Sequence, residues 1–270
     1  MPFPHALEQS LDLLRCPACR ERLWPGDGAV RCPSGHTFTL GRPGYVSLLA
    51  DTRATSGDDP GMVSARDRFL TGGHYSPVRE AVAALASASR PTTVLDAGCG
   101  TGYYLAGVLD HLPQARGLGL DTSVRALRSA ARAHARAAAA AWDVFRPLPL
   151  GDGVADVVLD VFAPRNPAEF RRVLRADGRL VVARPTWRHL AGLPTAADVD
   201  PSKEERLRLA LDRYFAPVVT EHVTYSMALD EQDAADLLAM TPSARHARRE
   251  AHVPGTQITV SVLVTAYQAR

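Results

Sequence analysis

From residue 93 onward, short apolar runs alternate with stretches of helical periodicity. Thr93-Val94-Leu95-Asp96 is an apolar run closed by an acid and glycines, and residues 103–111 behind it have a helical pattern. Residues 117–121 form a second strand-like run, followed by an Ala/Arg-rich helix over about 123–140 in which Ala137 to Ala141 reads as the helix end. Runs at 141–144, 156–162 and 179–184 supply a third, fourth and fifth strand. Strands separated by helices at this period predict an α/β domain with a doubly wound, mostly parallel sheet. Residues 256–267 alternate Ile258, Val260, Val262 and Val264 with polar partners, as a closing strand paired with 222–227 would. Ahead of this zone, Met62, Ala65, Phe69 and Leu70 share one side of a helix that Gly72-Gly73 ends, and a second helix runs over 77–88. Residues 51–61 have a loop composition throughout and read as a linker.

A length of 270 residues suits one medium domain with a small appendage. The chain has neither a basic-apolar leader nor a run of about 18 apolar residues, which predicts a cytoplasmic protein with no membrane partner. The net charge of +2 announces no polyanion by itself. Lys203 is the only lysine, and arginine, which supplies the other cations, binds phosphates bidentately and stacks on bases.

Cysteine usage adds a separate unit at the front. Cys16-Pro-Ala-Cys19 places two thiolates at knuckle spacing, and Cys32-Pro-Ser-Gly-His36 offers a second pair thirteen residues later. Three Cys and one His at these spacings predict a closed tetrahedral Zn2+ site, which supports folding rather than catalysis. A redox Cys-x-x-Cys would sit beside a βαβ pattern, and residues 12–45 have none. The fourth cysteine, Cys99, belongs to a different motif and leaves no disulfide framework.

That motif is Asp96-Ala97-Gly98-Cys99-Gly100-Thr101-Gly102, a glycine-rich turn between a strand and a helix where backbone and helix N-terminus can meet a ligand. A nicotinamide enzyme would offer such a turn too, but here an acid directly precedes the glycines. Asp121 and Asp143 follow at the next two strand ends, so the three carboxylates line one edge of the sheet. Such a row suits S-adenosylmethionine: Asp121 for the ribose hydroxyls, Asp143 for the adenine amino group, and Asp96 for the cationic methionine end. The loop resembles motif I of class I S-adenosylmethionine-dependent methyltransferases, a Rossmann-like fold.

The whole chain resembles the bacterial 23S rRNA guanine-N1 methyltransferases. The resemblance rests on Leu14-Arg15-Cys16-Pro17-Ala18-Cys19, Cys32-Pro33-Ser34-Gly35-His36-Thr37-Phe38, Gly44-Tyr45-Val46-Ser47-Leu48-Leu49, Gly73-His74-Tyr75, Val161-Phe162-Ala163-Pro164, Arg188-His189-Leu190 and Met240-Thr241-Pro242. The chain departs from the family at Ser47, usually Asn, and at Thr39, commonly Asp. The resemblance implies methyl transfer to N1 of a guanine in a 23S rRNA hairpin lining the peptide exit tunnel, by a homodimer with a shared RNA-binding cleft. One branch of the family is associated with resistance to macrolides such as tylosin. It also implies cofactor contacts from Tyr75, Gly98, Gly100, Thr101, Gly102 and His189. Residues 1–50 would form the zinc-binding RNA-recognition module, 51–76 a linker and helix, and 77–270 the methyltransferase domain. The residues alone leave open a zinc-containing methyltransferase for a small molecule or protein, and a non-catalytic S-adenosylmethionine-binding protein.

At the fourth strand, Asp160 is the candidate base for the N1 proton, Arg165 and Asn166 are candidate substrate contacts, and Phe162 is a candidate stacking partner for a flipped base. Basic clusters at Arg125/Arg128/Arg132/Arg136, Arg171/Arg172/Arg175 and Arg245/Arg248/Arg249 offer surface for an RNA backbone. Arg15, Arg20, Arg22 and Arg31 do so within the zinc module, the better candidate for recognition. A module joined to the catalytic domain only through a linker would be lost on chelation with little effect on cofactor affinity.

Overall fold

The computed structural model describes residues 3–49, 60–193, 202–241 and 255–270. Most of the expected linker, Pro242 and the cluster Arg245/Arg248/Arg249 lie outside the described residues. In chain order the elements are α1 (His5–Glu8), β1 (Trp24–Gly26), β2 (Ala29–Arg31), β3 (Thr37–Gly41), β4 (Tyr45–Ser47), α2 (Pro60–Thr71), α3 (Ser76–Ser87), β5 (Thr93–Ala97), α4 (Tyr103–His111), β6 (Arg116–Asp121), α5 (Val124–Ala133), β7 (Ala137–Ala141), β8 (Ala155–Val161), α6 (Pro167–Val173), β9 (Leu174–Pro185), α7 (Ser202–Asp212), β10 (Phe215–Leu229), α8 (Glu231–Met240) and β11 (Thr256–Ala269). The sheet order is β1-β2-β3-β4-β7-β6-β5-β8-β9-β11-β10.

From β4 through β9 neighbouring strands are parallel, and β11 inserts antiparallel between β9 and β10. The chain winds outward from β5 through β6 to β7 on one side and through β8 to β9 on the other. The winding reverses at β5/β8, and a crevice opens at the carboxyl ends of strands flanking such a reversal. Asp96, in register with Gly119 and Leu159, stands at that end of β5.

The alanine run corrects the sequence reading. Ala137–Ala141 is a strand, buried throughout and paired with both β6 and β4, although alanine is the best helix former. The helix ends at Ala133, and His134 is extended. Arg136 then turns its guanidinium onto the carbonyls of Leu109 and Leu112, both at 2.6 Å, and of Ala115, closing the C-terminus of α4. Tertiary pairing thus overrides propensity, and Arg136 leaves the basic face that its spacing had suggested.

The N-terminal module does not hang on a tether alone. β4 joins the main sheet, Val46 in register with Ala140 and Ser47 with Ala141. Cys16, Leu23, Val30, Cys32 and Phe38 pack in one apolar cluster with Trp142, Leu148, Leu150 and Phe170, and Tyr45 packs with Cys99 of the glycine loop and with Leu127 of α5. Arg20, at φ 64°, donates through Nη1 to the Leu148 carbonyl at 2.9 Å and through Nη2 to that of Leu150 at 2.8 Å. Arg172 binds the same two carbonyls while pairing with Glu169, whose Oε2 accepts from Leu148 N. The Arg15 and Gly151 amides add bonds to the Pro149 and Leu13 carbonyls. Zinc module and post-β7 loop are therefore one packed unit. Arg20→Ala is expected to cost about 1–2 kcal/mol of stability, since charge-assisted bonds are lost but Arg172 still satisfies both carbonyls. Arg20→Gly should cost less, because it relieves the left-handed backbone, and denaturant melts of the two variants check this order.

Candidate active site and metal centre

Two knuckles build the metal centre. Arg20 N donates to the Cys16 carbonyl at 2.8 Å and Gly35 N to the Cys32 carbonyl at 3.0 Å, closing each turn on its ligands. The four predicted ligand atoms lie within 4.8 Å of one another. Cys19 and Cys32 sulfurs are 3.6 Å apart, and His36 Nδ1 lies 3.6 Å from Cys16 Sγ and 3.3 Å from Cys32 Sγ. Zinc–sulfur bonds of about 2.3 Å in a tetrahedron place sulfurs about 3.8 Å apart, so donor set and spacing both fit zinc. Glu21 Oε2 lies 3.4 Å from Cys19 Sγ and accepts from the Ser34 amide and hydroxyl, tying the two knuckles together. The Ser34 bonds hold the Glu21 carboxyl below its usual range.

At the crevice, the glycine loop is held by the neighbouring acid. Asp121 Oδ2 accepts from Gly100 N at 2.8 Å, and its Oδ1 accepts from Ser123 N at 2.7 Å. One carboxylate thereby fixes both the loop and the start of α5. Gly98, at φ 86°, also packs so tightly that a Cβ there would fall 2.6 Å from that of Ala163, locking the loop to the segment after β8. Gly102 is the left-handed N-cap of α4, and Thr101 beside it is buried.

Asp96 is buried, and among the described residues its Oδ2 finds no hydrogen-bond partner. Burial, with repulsion from Asp121 and Asp160, pushes its pKa up to about 8. A buried acceptor without a donor at the switch point fits a cationic ligand, as the methionine end of S-adenosylmethionine is. Asp143 follows β7 in a more open position, accepting from Phe145 N at 2.9 Å, with Arg146 Nε 3.8 Å away.

Beside Asp96 the structure assembles an aromatic cup. Phe162, in the left-handed region at φ 54°, faces Tyr75 and Tyr104 at 6.2 Å and His189 at 6.0 Å, the last nearly parallel at 21°. His189 Nδ1 accepts from Ser261 N at 3.2 Å, which leaves Nε2 protonated and donating to Tyr75 Oη at 3.1 Å. Burial lowers the His189 pKa to about 4, so the imidazole stays neutral at physiological pH. Tyr104 Oη is buried without a hydrogen-bond partner among the described residues. Strained backbone at a non-glycine residue inside a crevice is characteristic of working sites. Phe162 reaches the cup through that strain; period-two reading of β8 has no signal for a positive φ.

Asp160 lies two residues earlier, fully buried, with Arg165 Nε 3.1 Å from its Oδ2. Burial raises its pKa to about 7 against the pull of Arg165. Asn166 has a different task from the one expected: its Nδ2 donates to the Val144 carbonyl at 3.0 Å, bracing the loop that carries Asp143.

The basic clusters divide in the same way. Arg171 donates to the Arg270 carbonyl, Arg172 serves the Glu169 node, and Arg175 pairs with Asp156, so this cluster is structural. Arg20 is spent on the loop carbonyls and Arg15 on those of Asp12 and Leu14. Arg22, Arg31, Arg125, Arg128 and Arg132 are exposed. The role of Arg20 was invisible in sequence because its partners are backbone groups nearly half the chain away.

Known proteins match both parts. A family described as "Methyltransferase domain" matches residues 94–180, and one described as "RlmA, N-terminal" matches residues 14–53. A Streptomyces fradiae protein named 23S rRNA (guanine(748)-N(1))-methyltransferase is 44% identical over 93% of this chain and 95% of its own length. A Micromonospora griseorubida protein, named as an inferred 23S rRNA (guanine-N(1)-)-methyltransferase, is 42% identical over 95% of this chain and 96% of its own. Among solved structures, the plantazolicin methyltransferase BpumL superposes with a TM-score of 0.50 over 81% of this chain and 94% of its own, at 15% identity, a likeness of fold. The class I fold with an N-terminal Cys3His centre, and the use of S-adenosylmethionine and Zn2+ as cofactors, follow. Among the described residues no helix is long and apolar enough to cross a membrane. Identity above 40% along nearly the whole length shows that the chain belongs to the family of bacterial 23S rRNA (guanine-N1)-methyltransferases.

Proposed function

We propose that this protein transfers a methyl group from S-adenosylmethionine to N1 of a guanine in a 23S rRNA hairpin lining the peptide exit tunnel, acting as a homodimer with a shared RNA cleft. The observation that carries this reading is the near full-length identity to the Streptomyces fradiae enzyme, whose name specifies guanine 748, the first position to examine here. Bound, the cofactor supplies an electrophilic methyl on a sulfonium. Asp121 takes the ribose hydroxyls, Asp143 the adenine amino group, and Asp96 the cationic methionine end. Gly98, Gly100, Thr101 and Gly102 form the backbone cradle, and Tyr75 with neutral His189 closes the methionine side. Cys16, Cys19, Cys32 and His36 hold the zinc, in a module at 1–50 that reads the RNA.

Phe162, 39% exposed at the mouth of the cup, offers a face on which a splayed guanine can stack, and alignment of N1 with the methyl then supplies much of the rate. N1 must lose its proton as the methyl arrives. Asp160 is the acceptor: near neutrality it is poised to take a proton, and Arg165 at 3.1 Å balances its charge before transfer. Asp160→Asn is expected to lower kcat by about 100-fold while leaving the cofactor Kd unchanged, and to remove the acid limb near pH 7 from the kcat profile. A variant that keeps that limb assigns the proton elsewhere. The function itself is tested by incubating the protein with methyl-labelled S-adenosylmethionine and 23S rRNA from a strain lacking the modification. Label in the RNA is expected; label only in a protein or small molecule would overturn the reading.

A further inference from the structure

Trp187 is 72% exposed, although tryptophan is among the most costly side chains to leave in water. The turn that carries it is rigid. Thr186 N donates to the Ser261 carbonyl at 3.0 Å, Thr186 Oγ1 donates to Ser261 Oγ at 2.7 Å and accepts from Arg188 N at 3.2 Å, and His222 Nε2 meets the same Ser261 hydroxyl at 2.9 Å. His189 N closes the turn on the Thr186 carbonyl, and Leu190 N bonds to that of Thr259. An apolar ring held out by so many bonds is presented rather than left over. The Arg188 guanidinium lies over the ring at 5.0 Å and is itself exposed, with no carboxylate partner among the described residues.

The same turn supplies His189, which stacks on Phe162 inside the cup. Two residues of backbone span at most about 7 Å, so the backbone that carries Trp187 lies within that distance of the His189 backbone, whose ring builds a wall of the cup. Splayed RNA bases are held by aromatic faces and by guanidinium planes, and Trp187 with Arg188 provides one of each, already ordered.

Resting on the proposed function, we infer that Trp187, stacked with Arg188, is a positioning platform for the rRNA nucleotide adjacent to the target guanine. It grips the neighbouring base while the target enters the cup, and so acts on RNA and not on the cofactor. Stacking on an aromatic side chain contributes enough that Trp187→Ala is expected to lower kcat/KM for unmodified 23S rRNA by about 10- to 100-fold, mainly through KM. Trp187→Phe should restore most of it. The Kd for S-adenosylmethionine and the sedimentation mass should not change, which separates this role from a folding defect and from a subunit interface. Full RNA activity in Trp187→Ala, or a halved mass in that variant, would overturn the assignment. A wild-type protein inert toward 23S rRNA would instead overturn the function on which it rests.

Discussion

Chelating the zinc, or replacing Cys19 by Ser, is expected to abolish RNA methylation and also to weaken S-adenosylmethionine binding by about tenfold, within the usual range for coupled sites. The first effect follows from the closed ligand set, because binding energy at a structural zinc is folding energy for its module. The second contradicts what a tethered module would do, and it has a structural path. Without the two knuckles Arg20 loses its φ 64° turn and releases the Leu148 and Leu150 carbonyls, and β4 no longer shields β7. Asp143 and Phe145 stand on the freed loop, while Tyr45 is withdrawn from Cys99 in the glycine loop. Calorimetric titration of the cofactor into chelated and zinc-loaded protein, with hydrogen exchange on residues 137–150, measures both consequences. An unchanged Kd beside a melted module would mean that the shared sheet carries no coupling.

Asp96→Asn should weaken S-adenosylmethionine binding by about 30-fold or more, since in the proposed site it removes the buried acid that faces the cofactor's cationic end. Its effect on the free protein has the opposite sign. The ordinary carboxyl value is 3.8, and in the fold it is pushed to about 8, so between those limits the folded state keeps a proton that the unfolded chain has lost. Stability contributed by the protonated form is complete below the ordinary value and is lost as pH rises toward 8. The Asn variant lacks this slope and should be at least as stable as wild type at pH 8, retaining the part due to Asp160. Cofactor binding at pH 7 should release a proton from Asp96 in the wild type and none from that position in the variant, readable from binding enthalpies in buffers of different ionisation heat.

Much of this was legible in the chain. The metal centre could be read because four ligands lie within twenty-one residues, where spacing alone brings them together. The carboxylate row could be read because successive strand ends share an edge in any parallel sheet. Ala137–Ala141 misled because its propensity is helical while its neighbours in space, β6 and β4, are specified by residues elsewhere. Arg20, Arg136 and Arg172 misled for a related reason: an arginine that satisfies distant carbonyls has the same local sequence as one that faces RNA. The strained φ of Phe162 and the pinned turn of Trp187 depend on contacts with β9 and β11 and have no local signature.

The most direct test is to react the zinc-loaded protein with methyl-labelled S-adenosylmethionine and unmodified 23S rRNA, digest the RNA to nucleosides and map the modified position by primer extension. One labelled nucleoside, 1-methylguanosine, is expected at a single stop in an exit-tunnel hairpin. Label in any other nucleoside, or none in RNA while the cofactor is consumed on another acceptor, would contradict it.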